Sequence, residues 1–206
     1  MAIRMITIYQ LKPRFQALLR PIARGCFASG ITANMVTTAA MLLSLGLGAL
    51  LFTQPQHRTL FLLLPAWMFV RMAFNAIDGM LAREFGQKSA LGAYLNELSD
   101  VVSDAALYLP FTQLAPFGWA SVGAVIFLAA LSEMTGALGP MVGAERRYDG
   151  PMGKSDRAFV FGALGLATGV IDVFPAWLWW LMPAVSACIA INIVNRVRSG
   201  IKAVNA

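Results

Sequence analysis

The amino-acid sequence predicts an all-α integral membrane protein with six transmembrane helices and an amino-terminal amphipathic interfacial helix. Of its 206 residues, 58% are hydrophobic and only 13% are charged, and the mean hydropathy of +0.67 lies outside the range of soluble globular domains. Residues 25–57 and 173–195 contain no Asp, Glu, Lys or Arg. Each stretch is long enough to cross a hydrocarbon core of about 30 Å.

The first 28 residues differ from the rest of the chain. Basic residues alternate there with Ile, Leu, Tyr and Phe, which is typical of a helix lying on an anionic membrane surface. Pro13 and Pro21 are expected to interrupt this helix, because proline lacks the backbone N–H. We therefore predict an interfacial helix over residues 1–28 and a six-helix membrane domain over residues 29–206.

Prolines, glycines and polar clusters divide the membrane domain into six predicted spans. The expected spans are 32–52, 59–83, 90–109, 118–140, 157–173 and a last one that follows the tryptophan-rich segment and ends near residue 195. Six spans place both termini on one side, and that side also carries nearly all the basic residues. By the positive-inside rule this side is cytoplasmic. The net charge of +6 therefore reflects membrane topology rather than nucleic-acid binding.

The centre of the chain carries polar residues at regular spacing inside membrane-like sequence. From Asn75 to Asp100 it reads N-A-I-D-G-M-L-A-R, then eight residues, then G-A-Y-L-N-E-L-S-D. Asn75 and Asp78 share a helix face, as do Asn96, Asp100 and Asp104, and a turn between the two helices would bring these faces together. Carboxylate and amide oxygens at this density favour a hard cation such as Mg²⁺ or Mn²⁺ over zinc.

This segment resembles the signature of the CDP-alcohol phosphotransferases, D-x2-D-G-x2-A-R-x8-G-x3-D-x3-D. Asn75 and Asn96 stand where the family has its first and third aspartates, and the other positions match in kind and spacing. The resemblance implies an enzyme of phospholipid synthesis that transfers a substituted phosphate from a CDP-linked lipid, such as CDP-diacylglycerol, to a small alcohol and releases CMP. It also implies a homodimer.

The resemblance further implies a role for each matching position. The expected metal ligands are Asn75, Asp78, Asn96 and Asp100, and Asp100 is also the expected general base. The expected nucleotide contacts are Gly79, Arg83 and Gly92, with Asn34 and Thr37 from a segment, I-T-A-N-M-V-T, that resembles the family's T-P-N-x-x-T. Close helix packing is the alternative role of the two glycines. Because two aspartates are replaced by asparagine, we expect weaker binding of divalent cations.

Other charged residues flank the signature. We expect Arg71 and Asp104 to form an ion pair beneath the site, with direct metal binding as the alternative for Asp104 and with Glu133 as another candidate partner of Arg71. The acceptor alcohol, phosphorylated or not, is expected to contact a basic set near the fifth span: Arg146, Arg147, Lys154 and Arg157. A solvated cytoplasmic loop is the alternative interpretation of that set.

Two other functions stay open at the level of sequence. A protein with a weakened metal site would bind CDP-lipid without releasing CMP. A small transporter would use the buried polar groups for ions or solutes, but these groups cluster near one face of the membrane and no inverted repeat is visible. The expected location is the bacterial inner membrane, with the active site facing the cytoplasm.

Overall fold

The computed structural model describes residues 8–205, with side chains from residue 15 onward. Within this range the chain forms seven α-helices and no strand. In chain order the helices are α1 (Ile8–Ala28), α2 (Ala33–Thr53), α3 (Leu63–Glu84), α4 (Ala90–Tyr108), α5 (Trp119–Ala137), α6 (Lys154–Val170) and α7 (Leu181–Val204). Short 3-10 turns precede α3 and α7, over Arg58–Leu62 and Ala176–Trp180, and two more follow α4 and α5, over Leu109–Gln113 and Gly139–Val142. The first seven residues of the predicted interfacial helix lie outside the described range.

Helix α1 runs through Pro13 and Pro21 without a break, so the expectation that these prolines interrupt it is wrong. Side chains of α1 contact α3 close to these prolines. The ring centroids of Phe15 and Phe69 lie 6.1 Å apart, and the Arg20 guanidinium donates to both carboxylate oxygens of Glu84 at 3.0 Å.

Four helical segments of the described chain are long and apolar enough to cross a membrane: Ala33–Thr53, Arg58–Glu84, Trp119–Ala137 and Ala176–Val204. They correspond to the first, second, fourth and sixth predicted spans, and the last continues beyond its expected end near residue 195. The third and fifth predicted spans coincide with α4 and α6. Helix α4 contains three acidic residues and α6 has only 17 residues, so six spans stay a prediction.

The chain divides into two compact units. The first unit comprises Met1–Ala40 and Phe69–Ser99, and the second comprises Met41–Met68 and Asp100–Ala206. The signature residues from Asn75 to Asn96 belong to the first unit, whereas Asp100 and Asp104 belong to the second.

Each unit has its own apolar core. In the first unit, residues of α1, α2 and α3 are buried together: Leu19, Ala23, Ala33, Val36, Ile77, Met80 and Leu81. In the second unit, α5 packs along α7, and α6 packs on the turn Arg58–Leu62. The Tyr108 and Phe161 rings stack in that second core with centroids 3.7 Å apart. Gly165 lets α6 approach Leu64, because a β-carbon there would lie 3.0 Å from the leucine side chain.

Candidate active site

A buried carboxylate, Asp78, lies in the first unit, and only 7% of its surface is exposed. The Thr37 hydroxyl oxygen is 2.8 Å from Asp78 Oδ2 and 3.0 Å from the carbonyl oxygen of Ala33. Helix α2 begins at Ala33 because Thr32 caps it: Thr32 Oγ1 accepts the backbone N–H of Met35 at 3.2 Å. The structure brings two of the sequence-predicted site residues, Thr37 and Asp78, into contact.

The turn before α4 contacts the first residues of α2. Gln87 Oε1 accepts the backbone N–H of Ala33 at 2.7 Å, and Asn34 Nδ2 lies at 3.5 Å from Ser89 Oγ. Ser89 also caps α4, since its hydroxyl accepts the backbone N–H of Gly92 at 2.9 Å. A β-carbon on Gly92 would lie 2.8 Å from Asn34 Oδ1 and 3.0 Å from Ser89 Oγ. Gly92 therefore makes room for two polar side chains.

Gly79 makes room for a guanidinium group. A β-carbon there would lie 2.8 Å from Nη2 of Arg83, which is on the next turn of α3. The Arg83 side chain is exposed. Glycine at position 79 thus leaves room for the Arg83 side chain, while the nucleotide contacts expected of Gly79 and Arg83 stay predictions.

The two asparagines of the signature differ in burial. Asn75 is half-buried, whereas Asn96 is exposed and donates from Nδ2 to Oε1 of Glu97 at 3.2 Å. Glu97, the next residue along the chain, therefore lies within hydrogen-bond distance of a predicted metal ligand. The joint metal site of the four predicted ligands stays a prediction.

In the second unit, Asp100 forms an ion pair with Lys154 at the first residue of α6. Both side chains are partly accessible, with 13% of Asp100 and 29% of Lys154 exposed. The structure thus joins the expected general base to one of the residues predicted to bind the acceptor.

Arg157 is the fully buried centre of a charged cluster in the second unit. Its Nη2 atom lies 3.3 Å from Asp104 Oδ2 and 2.9 Å from Glu133 Oε1, and Nη1 donates to the Met152 carbonyl oxygen at 3.2 Å. Asp104 therefore contacts Arg157, which the sequence predicts to bind the acceptor alcohol. The predicted pairing of Asp104 with Arg71, which is itself buried, stays a prediction.

Glu133 is shared by three arginines. Besides Arg157, Arg146 Nη2 lies 3.2 Å from Oε2 of Glu133, and Arg196 Nη1 lies 3.7 Å from Oε1. Arg196 Nη1 also donates to the carbonyl oxygen of Ser132. Burial lowers the pKa of Arg146, because a charged guanidinium is less well solvated away from water. A cluster of this kind depends on all of its partners, since one unpaired buried charge would cost several kcal/mol.

The segment 143–153 lies against glycines of the second unit. The backbone N–H of Arg147 donates to the Gly136 carbonyl oxygen at 3.2 Å, and a β-carbon on Gly136 would lie 2.7 Å from the Arg147 carbonyl oxygen. The Arg147 side chain donates to Asp149 at 2.8 and 3.0 Å. These hydrogen bonds lower the pKa of the Asp149 carboxyl group. The segment is therefore held by backbone and side-chain contacts.

Sequence analysis missed several residues of these contacts. Gln87 and Ser89 are not among the predicted site residues, although a serine directly before a helix is an N-cap signal. Glu133 was considered only as a partner of Arg71, and Arg196 was read only as a basic residue of the cytoplasmic side. No local pattern identifies the contacts of Glu133 with Arg157 and Arg196. Arg157 lies 24 residues after Glu133 in the sequence, and Arg196 lies 63 residues after it.

The donor atoms fit a hard divalent cation. Asp78 and Asp100 offer carboxylate oxygens, and Asn75 and Asn96 offer amide oxygens, with no nitrogen or sulfur ligand among them. Within the described residues, no group of three or more His, Cys, Asp or Glu side chains is placed to hold a metal ion. The predicted ligand set therefore combines two carboxylates with two neutral amides.

Apolar helices that can cross a membrane, together with this signature, define an integral membrane transferase of phospholipid synthesis. The chain belongs to the CDP-alcohol phosphatidyltransferase family, which matches residues 30–194. It is 46% identical to the inner membrane protein YnbA of Escherichia coli strain K12 over 94% of this chain and 96% of that one. It is 29% identical to the phosphatidylinositol phosphate synthase of Mycobacteroides abscessus over 54% of this chain and 49% of that enzyme.

Solved structures share the fold. The phosphatidylinositol phosphate synthase of Mycobacterium tuberculosis with CDP-DAG bound superimposes with a TM-score of 0.73 at 21% identity, covering 89% of this chain and 94% of that one. A second structure of that enzyme, in complex with manganese and citrate, has a TM-score of 0.71, also at 21% identity, and covers 88% of each chain.

Proposed function

We propose that this protein transfers the phosphatidyl group of CDP-diacylglycerol, or a similar CDP-lipid, to a small alcohol and releases CMP. The observation that carries the proposal is the signature itself: Asp78, Gly79, Arg83, Gly92 and Asp100 stand in the family's order within the matched segment. The CDP-DAG bound by the mycobacterial enzyme supports the choice of donor.

The proposed reaction is an in-line displacement at the phosphorus that carries the lipid. The acceptor hydroxyl forms the new P–O bond and gives its proton to Asp100, while the bond to CMP breaks and its electron pair leaves with CMP. Asn34, Thr37, Gly79, Arg83 and Gly92 form the proposed nucleotide contacts. Arg146, Arg147, Lys154 and Arg157 are proposed to bind or orient the acceptor, and Arg71 and Asp104 to support the site.

Asn75, Asp78, Asn96 and Asp100 would hold Mg²⁺ or Mn²⁺. A divalent cation held there would neutralise charge on the pyrophosphate and stabilise the departing phosphate. The manganese in the mycobacterial structure supports this choice. Because this chain has asparagine at two ligand positions, we expect activity to require a higher concentration of cation than four carboxylates would need.

The proposed setting is the inner membrane, with six spans, both termini and the active site on the cytoplasmic side, and an interfacial helix over residues 1–28. The name of the Escherichia coli relative supports the membrane assignment, and the distribution of basic residues supports the orientation. We also propose a homodimer, as the family resemblance implies.

The test is CMP release by the purified full-length chain with CDP-diacylglycerol across a panel of alcohols and phosphorylated alcohols. Reactions run in Mg²⁺, in Mn²⁺ and in excess EDTA. We expect release with at least one acceptor, its loss in EDTA and its recovery when cation is restored.

Two matched variants locate the chemistry. Asp100→Asn removes the proposed base with little change of volume, and we expect a fall of about 10²- to 10⁴-fold in CMP release. Asp172→Asn makes the same change in an exposed carboxylate outside the signature and the proposed site, and it should keep nearly full activity. Tight CDP-lipid binding without CMP release for any acceptor would instead favour a binding protein. This is the main alternative, because Asn75 and Asn96 weaken the predicted metal site.

A further inference from the structure

Thr37 contacts a carboxylate as well as its own helix. Its hydroxyl oxygen lies 2.8 Å from Asp78 Oδ2 and 3.0 Å from the Ala33 carbonyl oxygen. Thr53, at the other end of α2, shows the ordinary arrangement of a helical threonine: its hydroxyl lies 2.8 Å from the carbonyl oxygen of Ala49 and 3.2 Å from that of Leu50. The carboxylate contact therefore distinguishes Thr37 from another threonine of the same helix.

The hydroxyl of Thr37 has one hydrogen and two acceptors within reach. In a helix, the carbonyl oxygen four residues earlier already accepts a backbone N–H. An ionised carboxylate is the stronger acceptor, so the hydroxyl hydrogen goes to Asp78. Both side chains are buried, with 8% of Thr37 and 7% of Asp78 exposed, and water therefore competes poorly for this hydrogen bond.

We propose that Thr37 is a positioning residue, whose hydroxyl fixes the orientation of the Asp78 carboxylate for binding of a divalent cation. The inference rests on the proposed function, because it requires Asp78 to be a ligand of the cation. It differs from the role that the family resemblance implies for Thr37, which is direct contact with the nucleotide.

Hydrogen-bond partners that orient a ligand carboxylate typically contribute about 10- to 100-fold to metal affinity. Thr37→Val keeps the shape of the side chain and removes the donor, so we expect Mn²⁺ binding to weaken by about 10-fold or more. Thr37→Ser keeps the hydroxyl and should stay close to the native affinity. Thr53→Val removes a hydroxyl of α2 that contacts only backbone oxygens, and it is the matched control.

The experiment measures Mn²⁺ binding to the purified full-length chain by electron paramagnetic resonance, without nucleotide. CDP-diacylglycerol affinity and CMP release are measured separately on the same preparations. Asp78→Asn identifies the site and is expected to abolish most of the binding. Should Thr37→Val fail to fold, as judged by thermal unfolding and gel filtration, Thr37→Ala removes the same hydroxyl without a β-branched side chain.

Weaker Mn²⁺ binding in Thr37→Val, with native-like binding in Thr37→Ser and Thr53→Val, supports the inference even for a preparation that releases no CMP. Native Mn²⁺ affinity in Thr37→Val together with weaker CDP-diacylglycerol binding overturns it in favour of a direct nucleotide contact. If Asp78→Asn leaves Mn²⁺ binding unchanged and the native chain releases CMP, Asp78 is not the ligand. That result overturns the inference about Thr37 but leaves the proposed transferase activity standing. Absence of Mn²⁺ binding by the native chain overturns both the inference and the proposed metal dependence.

Discussion

The two units of this protein hold their buried carboxylates in different ways. In the first unit, the Thr37 hydroxyl contacts Asp78, and amide and hydroxyl groups of Asn34 and Ser89 lie around Gly92. In the second unit, the Arg157 guanidinium contacts both Asp104 and Glu133. A hydroxyl donor adds no charge beside a carboxylate, whereas a guanidinium adds a positive charge that offsets the negative one.

Acidic residues of the membrane domain thus have two kinds of partner. The Thr37 hydroxyl adds a hydrogen bond to Asp78 and brings no charge of its own, and Asp78 is a proposed ligand of the cation. Carboxylates paired with arginines instead connect helices: Asp104 on α4, Glu133 on α5, Arg157 on α6 and Arg196 on α7. Four predictions test this distinction, in order of decreasing effect.

The largest effect is expected from Arg157→Gln. This change leaves Asp104 and Glu133 without their shared buried partner, and breaking a buried pair costs about 3–5 kcal/mol. Thermal unfolding in detergent should show a fall in Tm on the order of 10 °C. A fall of only one or two degrees would mean that the cluster does not depend on this guanidinium.

Gly136→Ala should have the next largest effect. Its β-carbon would lie 2.7 Å from the Arg147 carbonyl oxygen and 2.9 Å from Arg196 Nη1, and such overpacking typically costs about 1–3 kcal/mol. Gly123→Ala is the matched control in the same helix, since nothing lies within 4 Å of its β-carbon. Because alanine favours a helix over glycine, the control should unfold at the same or a higher temperature. Equal Tm values for the two variants would contradict close packing of the segment 143–153 on α5.

Gly92→Ala should affect binding more than stability. The added β-carbon meets Asn34 Oδ1 at 2.8 Å and Ser89 Oγ at 3.0 Å, and these are side-chain ends that can move. Displacement of Asn34 should weaken CDP-diacylglycerol binding by about 10-fold, equivalent to about 1.4 kcal/mol, with little change in Tm. Gly25→Ala, whose β-carbon meets nothing within 4 Å, is the control. Native affinity in Gly92→Ala would remove Asn34 from the nucleotide contacts.

The smallest effect is expected from Arg147→Gln, which breaks a partly exposed ion pair with Asp149. Such pairs contribute about 0–1 kcal/mol, so Tm at pH 7 should fall by no more than a few degrees. The lowered pKa of Asp149 sets the sign of the pH dependence. The stabilisation is present above the unfolded pKa of about 3.9 and is lost as the pH falls through the lower folded pKa. The Tm difference between variant and native chain should therefore shrink with acidification below about pH 4, and a growing difference would contradict this assignment.

Local sequence was sufficient for most of the secondary structure. Predicted and observed helix ends agree closely for α2 and α4, because a threonine cap and the polar turn before Ala90 mark their starts. It was insufficient for α1, where two prolines indicated a break. Helix α1 contacts α3 through Phe15 with Phe69 and Arg20 with Glu84. The residues of each pair are far apart in sequence, so local helix propensity does not include these contacts.

The sequence by itself determined the membrane character, the helical class and the family, because hydropathy, helical spacing and the order of the signature are properties of the chain read in one dimension. Only the tertiary structure decided the partners of the polar side chains. Asp104 contacts Arg157 from α6, 53 residues further along the chain, and Glu133 contacts arginines from a loop and two helices. The physical reason is that a buried charge must find its counter-charge somewhere in space, and spacing along one hairpin cannot specify which of several distant guanidinium groups supplies it.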